Sequence, residues 1–371
     1  MQNKNLHIIS FDNPYPPNYG GIIDVFYKVK ALHALGFKIY LHCFTATIPL
    51  HYKELQLLTQ EVFFYKSSSN PLLYFSKIPF SVISRTNKKL LVNINKINAP
   101  ILFEGLKTAG LVMNNQLNNH YKILRLHNIE QDYFAGISKS EKSLFRKIAF
   151  YFETKKYERF ETIIQKFDQV ICLSNFENKY INSKFKNSVY VPVFHGNKNV
   201  IKLDEFGEYA VYHGDLNTAD NKEVVRFLIS VFNEIPDYKL IIASSDNEKF
   251  VTDLIKNNYN IKFVRFKNFE DLKVVLQNAH INISWSFQKS GTKLKLINSL
   301  YNSRFSIINE NIIDEKSIAD LCIQVVNKSD LILKILELKN QSFKDFESRK
   351  VVLETVLNDL KNAQLIANLL V

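Results

Sequence analysis

Apolar runs of strand length alternate with segments of helical period along the whole chain. In the first half the strand candidates are residues 6–11, 38–44, 61–65, 100–105, 122–127, 169–174 and 188–193. In the second half they are 209–214, 239–244, 261–266, 280–285, 305–309 and 321–326. Near-continuous apolar runs between helices predict parallel strands covered on both faces. Two such sets predict an α/β chain of two doubly wound, Rossmann-like domains facing a cleft. The polar stretch "HGNKNVIKLDEFGE" (195–208) marks the seam, giving domains 1–196 and 197–345. The longest helical segment is 140–167. The tail has helical period, with Val352, Val356, Leu360 and Leu365 to Leu370 as apolar anchors.

Composition narrows the partners. The chain has 371 residues, a net charge of +12 and a pI near 9.3. That balance favours anionic partners: nucleic acid, anionic lipid or a phosphate-bearing substrate. Cys43, Cys172 and Cys322 are far apart, each in an apolar run, and fit buried free thiols in a reducing compartment. The start "MQNKNLHIISF" is no signal peptide, and no apolar run approaches the ~20 residues of a spanning helix. The expected location is cytoplasmic, with peripheral membrane contact at most.

In open parallel sheets ligands bind beyond the C-terminal ends of the strands, so chemistry is sought there. After the first strand, a Pro-rich loop leads to Gly20 and Gly21, which open a helix. Adjacent glycines allow close backbone approach, and a helix N-terminus suits an anion; locally the pair reads equally as a tight turn. After the fifth strand comes "RLHNIEQDYF", with His127 at the strand end and Asn128 and Glu130 behind it, a set suited to binding or acid/base work. The second domain opens with "YHGDLNTADNKEVVRFL". Gly214 and Asp215 follow a strand there, but Asp215 and Asp220 would repel an anion, and Asp220 reads also as a helix cap.

The stretch "SGTKLKLINSL" (290–300) breaks a rule of helix electrostatics. First turns favour Asp or Glu, yet this one offers Lys293 and Lys295. At 100° per residue Gly291, Lys295 and Asn298 share one stripe, while Leu294, Leu296, Ile297, Leu300 and Tyr301 cover the opposite arc. A bound diphosphate would offset the lysines. There is no GxGxxG, Walker A, HExxH, GxSxG or DxD, so no dinucleotide cofactor and no metal is signalled.

Together these residues resemble the GT-B glycosyltransferases, specifically the retaining group called family 4 or group 1, over essentially the whole chain. The resembling segments are "PYPPNYGGIIDVFYKVKALHALG", "RLHNIEQDYF", "FDQVICLSNFENKYI", "YHGDLNTADNKEVVRFL" and "SWSFQKSGTKLKLINSL". The last matches a donor motif usually written E-x7-E. The resemblance implies a nucleotide-sugar donor held mostly by the second domain and an acceptor held mostly by the first, with no cofactor or metal. It implies that Gly20 and Gly21 approach the diphosphate and that His127 faces the transferred sugar. Lys293 and Lys295 would hold the diphosphate. Ser290, Gly291, Thr292, Gly214 and Asp215 would line the donor, with Asn298 at the ribose and Phe266 and Lys267 near the base. Asp24, Asn128 and Glu130 would lie on the acceptor side. The tail, 346–371, would cross back to complete the first domain.

This chain departs from the motif at both glutamates, where Ser290 and Asn298 stand. The reading is a retaining, metal-independent glycosyltransferase of surface-polysaccharide assembly, acting on a glycan or lipid-linked acceptor. The lost glutamates favour one rival, a non-catalytic sugar-nucleotide-binding relative. A nucleotide-sugar epimerase of the same plan is another, and no motif supports nucleic-acid binding. The basic aromatic stretch 138–167 suits an anionic membrane surface, or alternatively packs its aromatics on the first domain.

Overall fold

The computed structural model describes residues 4–141, 143–288 and 294–370. Each apolar run named above overlaps one strand. In the first half these are β1 (Asn5–Ser10), β2 (Lys38–Thr45), β3 (Glu61–Lys66), β4 (Ile101–Glu104), β5 (Lys122–Leu126), β6 (Gln169–Cys172) and β7 (Ser188–Tyr190). In the second they are β8 (Tyr209–His213), β9 (Leu240–Ser244), β10 (Ile261–Arg265), β11 (Ala279–Ser284), β12 (Phe305–Ile308) and β13 (Ile323–Gln324).

They form two sheets, ordered β3-β2-β1-β4-β5-β6-β7 and β10-β9-β8-β11-β12-β13. Every pairing within them is parallel. Strand order reverses between β1 and β4 in the first sheet, and between β8 and β11 in the second. Crossover helices leave these two points uncovered at the C-terminal strand ends, which makes them the natural ligand sites of such sheets. Apolar side chains on both faces of each sheet are fully buried, for example Ile8 and Ile9 in β1 and Val211 and Tyr212 in β8. This is why the strands read as continuous rather than alternating apolar runs.

The chain divides into two compact units, Met1–Gly196 with Asn358–Val371, and Asn197–Leu357. The tail is two helices, Phe346–Val356 and Asp359–Leu369, not one. The first belongs to the second unit: Tyr301 Oη donates to the Leu357 carbonyl at 3.0 Å, and Leu353 is buried. Only the last helix returns to the first unit. There Asp359 accepts from the backbone N–H groups of His195 (3.2 Å) and Gly196 (2.9 Å). The expected anchors Leu360 and Leu365 are exposed; Ala363, Ile366 and Ala367 are the buried face. The tail is apolar on two sides, so periodicity alone did not say which side packs. Cys43 and Cys172 are buried and Cys322 is partly so; all three are free thiols.

One buried polar chain crosses the first sheet near its edge. His7 Nε2 faces the Ile97 carbonyl (2.9 Å), His7 Nδ1 faces His42 Nε2 (3.0 Å), and His42 Nδ1 faces Tyr65 Oη (2.9 Å). Asn93 Nδ2 donates to Tyr65 Oη at 3.0 Å. A carbonyl can only accept, so His7 Nε2 carries a proton and Nδ1 does not. His42 then donates from Nε2, and Tyr65 donates to His42 Nδ1. Every group is satisfied only when both rings are neutral. Burial lowers the pKa of both histidines from 6.5. The unfolded chain therefore binds more protons than the folded one below about pH 6.5. Stability is expected to be full above that pH and to fall as pH drops, by up to about 1.4 kcal/mol per pH unit for each ring. Urea midpoints at pH 7.5 and 5.5 measure this; a midpoint unchanged between them rules it out.

Candidate functional site

At the first reversal point, charged side chains collect where sequence periodicity demands apolar ones. The helix Gly20–Ala34 buries Asp24 and Lys28 one turn apart, and their ammonium–carboxylate distance is 2.7 Å. Lys28 also pairs with Glu104 at the end of β4 (2.9 Å). Arg125, beside Glu104 in the strand register, donates to Asp24 Oδ1 at 3.0 Å and to the carbonyls of Val191 (2.7 Å) and Pro192 (3.0 Å). All four side chains are fully buried. Two carboxylates and two cations balance, as burial requires. Burial alone would raise the pKa of Asp24, but Arg125 and Lys28 outweigh it and hold the carboxyl well below the usual range. Glu104 is likewise kept ionised against its burial, chiefly by Lys28.

His127 completes the group. Its Nε2 lies 2.9 Å from Glu104 Oε2. The ionised carboxylate only accepts, so Nε2 carries a proton, and in the neutral ring Nδ1 is then an acceptor. Among the described residues Nδ1 makes no hydrogen bond. It lies against Gly21, where an added Cβ would sit 3.7 Å from Nδ1 and 2.9 Å from Phe11 Cζ. Gly21 thus leaves room for the Phe11 and His127 rings, which meet edge-on. Gly20 begins the same helix, which has no acidic residue in its first turn and no side-chain cap, so its positive pole is uncompensated. Ligand atoms of Asp24, Glu104 and His127 lie within 4.8 Å of one another. Lys28 and Arg125 already neutralise that set, and a cation there would have to displace Lys28.

The structure corrects the acceptor-side assignment of Asp24. Its carboxylate is 0% exposed and accepts from Lys28, Arg125 and the Phe194 N–H (2.9 Å), leaving no face for a substrate. Glu130 is also buried, 3.8 Å from Lys107, while Asn128 remains half-buried beside His127.

The second reversal point lies between β8 and β11. His213 ends β8, followed by Gly214 and Asp215; Trp285 and Ser286 follow β11. Lys295, in the helix Leu294–Asn302, turns its ammonium back to this place. It donates to the Trp285 carbonyl (2.7 Å) and Asn221 Oδ1 (3.3 Å), and lies 5.0 Å from the Tyr212 ring centre. His213 is buried, and its Nε2 has no partner among the described residues. Burial and then the nearby Lys295 charge push its pKa down to about 3, so it is neutral at physiological pH. A buried polar atom near an ammonium is suited to meet an anionic group with hydrogen-bonding oxygens.

Asp220 is not the helix cap: Thr218 is, accepting from the Asn221 N–H. Asp220 instead fixes the loop after β11, accepting from Ser286 Oγ and the Phe287 N–H, both at 2.9 Å. Its charge is spent on that loop. Asp215 Oδ1 accepts from the Asn217 N–H (2.9 Å) within its own turn. Gly214 is close-packed, since a Cβ there would lie 3.1 Å from Asn221 Nδ2.

Asn298 is one helical turn from Lys295, and its Oδ1 accepts from Asn197 Nδ2 at 3.0 Å. Phe266 and Lys267 follow β10, the edge strand, two strands away from β8. The Lys267 N–H is taken by Asp271 (2.9 Å). Ser290, Gly291, Thr292 and Lys293 lie outside the described residues. Sequence reasoning missed Lys28, Glu104, Arg125, Asn221 and Ser286. The signals for the first three were charged residues inside apolar runs, "DVFYK", "ILFEG" and "KILRL".

No protein-family model matches the chain. An uncharacterised 44.6 kDa protein in the cps region of Klebsiella pneumoniae is 25% identical over 330 residues, 81% of each chain. Among solved structures, sucrose-phosphate synthase from Thermosynechococcus elongatus aligns with a TM-score of 0.72 at 15% identity over 98% of each chain. Anabaena HepE in complex with UDP aligns at 0.68 and 10% identity over 99% of each. Staphylococcus aureus TarM, in complex with fondaparinux, α-GlcNAc-glycerol and UDP, aligns at 0.67 and 12% identity, covering 98% of this chain and 99% of that one. These likenesses establish the fold: two doubly wound α/β units in the GT-B plan.

Proposed function

We propose that the chain is a glycosyltransferase that moves a sugar from a nucleoside-diphosphate donor to a glycan or lipid-linked acceptor. The observation that carries this is the Lys295 ammonium beside the unpartnered His213 Nε2, at the strand-order reversal of the second sheet. An anionic pyrophosphate with hydrogen-bonding oxygens complements that pair. The reading is supported by UDP in the HepE and TarM complexes and by the cps-region origin of the Klebsiella relative, which points to surface polysaccharide.

The mechanism proposed is retaining and metal-independent, as in family 4, despite the absent E-x7-E glutamates. Lys295 stabilises the negative charge that develops on the departing phosphate. The acceptor oxygen forms its bond to the sugar carbon on the face the phosphate leaves. Its proton passes to the leaving phosphate. His127, held as the Nε2–H tautomer by Glu104, offers Nδ1 as an acceptor to a substrate hydroxyl.

A panel of sugar nucleotides tests this. One donor class is expected to raise the melting temperature and to release nucleoside diphosphate slowly without acceptor. Tight binding with no hydrolysis and no transfer to any glycan would favour a non-catalytic binding protein. Donor interconversion without acceptor would favour an epimerase.

A further inference from the structure

The helix Leu144–Phe160 presents its apolar side outward. At 100° per residue Leu144, Phe145, Ile148, Tyr151 and Phe152 fall within an arc of about 120°. All five are exposed, Phe145 at 83% and Leu144 at 73%. The opposite arc carries Glu153, Thr154 and Tyr157, which are buried. The inward side also carries Phe150 and Phe160, so the helix is apolar on both sides, unlike an ordinary surface helix. Only part of the 138–167 stretch is surface, since Glu161, Ile163, Ile164 and Phe167 are buried too.

A second segment, invisible to sequence reading, extends this surface. The short 3-10 turn Pro71–Phe75 is tied to the helix by Lys156 Nζ donating to the Tyr74 carbonyl (2.7 Å). The Phe80 N–H donates to Glu153 Oε2 (2.9 Å), and the Tyr74 and Phe80 rings stack at 4.0 Å. This turn leaves Phe75 88% and Leu72 69% exposed. Exposed apolar side chains gathered on a helix and a turn tied to it mark an interaction surface.

Charge identifies the occupant. The exposed cations Lys147, Lys155 and Arg159 flank or lie within the apolar arc, and the 138–167 stretch holds eight Lys and Arg against four Glu. Of those glutamates, Glu153 is paired with Lys156 and Glu158 with Lys155, while Glu161 is buried and paired with Lys184. Aromatic and aliphatic side chains interleaved with exposed cations match the boundary between acyl chains and anionic headgroups. No helix among the described residues is long and apolar enough to cross a membrane, so contact here would be along the plane. We propose that this face, the outward arc of Leu144–Phe160 with the Pro71–Phe75 turn, seats the protein on an anionic lipid surface. The proposal stands independently of the transfer chemistry.

Co-sedimentation of the full chain with vesicles tests it. Phosphatidylcholine vesicles containing phosphatidylglycerol are expected to retain the protein, and pure phosphatidylcholine vesicles to leave it in solution. Phe75→Asp with Phe145→Asp, and separately Lys147→Glu with Arg159→Glu, should each lower retention about tenfold or more, with far-UV circular dichroism unchanged. If those variants lose their helical signal, Phe145→Ser and Lys147→Gln serve instead and should show the same direction. Absence of binding to phosphatidylglycerol, equal binding to neutral vesicles, or retention by folded variants at the wild-type level would overturn the proposal. So would lipid-free sedimentation showing a dimer that these substitutions dissociate, because the face would then belong to a second copy.

Discussion

Lys295→Ala is expected to lower sugar transfer by about two to three orders of magnitude, the usual effect of removing one preorganised donor to developing negative charge. The side chain sits at the head of its helix with its ammonium on the Trp285 carbonyl and Asn221. Those contacts hold it beside His213 before any donor arrives, so little reorganisation is needed when a phosphate takes their place. Lys295→Arg should not restore the rate. A guanidinium is wider and planar, whereas the Trp285 carbonyl and Asn221 Oδ1 are arranged around a point charge. Steady-state kinetics with the donor found in the panel measure this, and Lys295→Met controls for the packing of the stem. Loss of donor affinity in both Ala and Met variants, with melting temperature in the absence of donor nearly kept, separates phosphate binding from folding. Transfer at the wild-type rate in Lys295→Ala would remove the residue from the chemistry.

The largest stability effect is expected at Arg125. Arg125→Met leaves the buried Asp24 carboxylate without its bidentate partner and the Val191 and Pro192 carbonyls without their donors. Breaking a buried ion pair from one side costs about 3–5 kcal/mol. Adding Asp24→Asn removes the stranded charge and should recover part of that loss, as coupled neighbours do. Urea denaturation of the wild type, both single variants and the double variant gives the coupling directly. Additive losses would mean that Asp24 and Arg125 do not act as a pair.

Strand positions were legible because strands covered on both faces need unbroken apolar runs, and chain order then leaves few ways to wind them. What periodicity could not tell was which charged residues turn inward. The partners of Lys28 and Asp24, Glu104 and Arg125, are 76 and 101 residues away from them respectively. Pairing across such separations is fixed only by the sheet. Asp220 misled for a similar reason: its place near a helix start suggests a cap, but Thr218 takes that role and frees the carboxylate for the loop after β11. The tail misled because both of its halves have one period, and only the break at Leu357–Asn358 assigns them to different units.

The most direct measurement is a structure of this protein with a nucleoside diphosphate bound. The β-phosphate should lie within hydrogen-bond distance of Lys295 Nζ, at the ends of β8 and β11, with His213 Nε2 facing the ligand. A nucleotide seated elsewhere, with Lys295 still closed on the Trp285 carbonyl, would contradict the assignment.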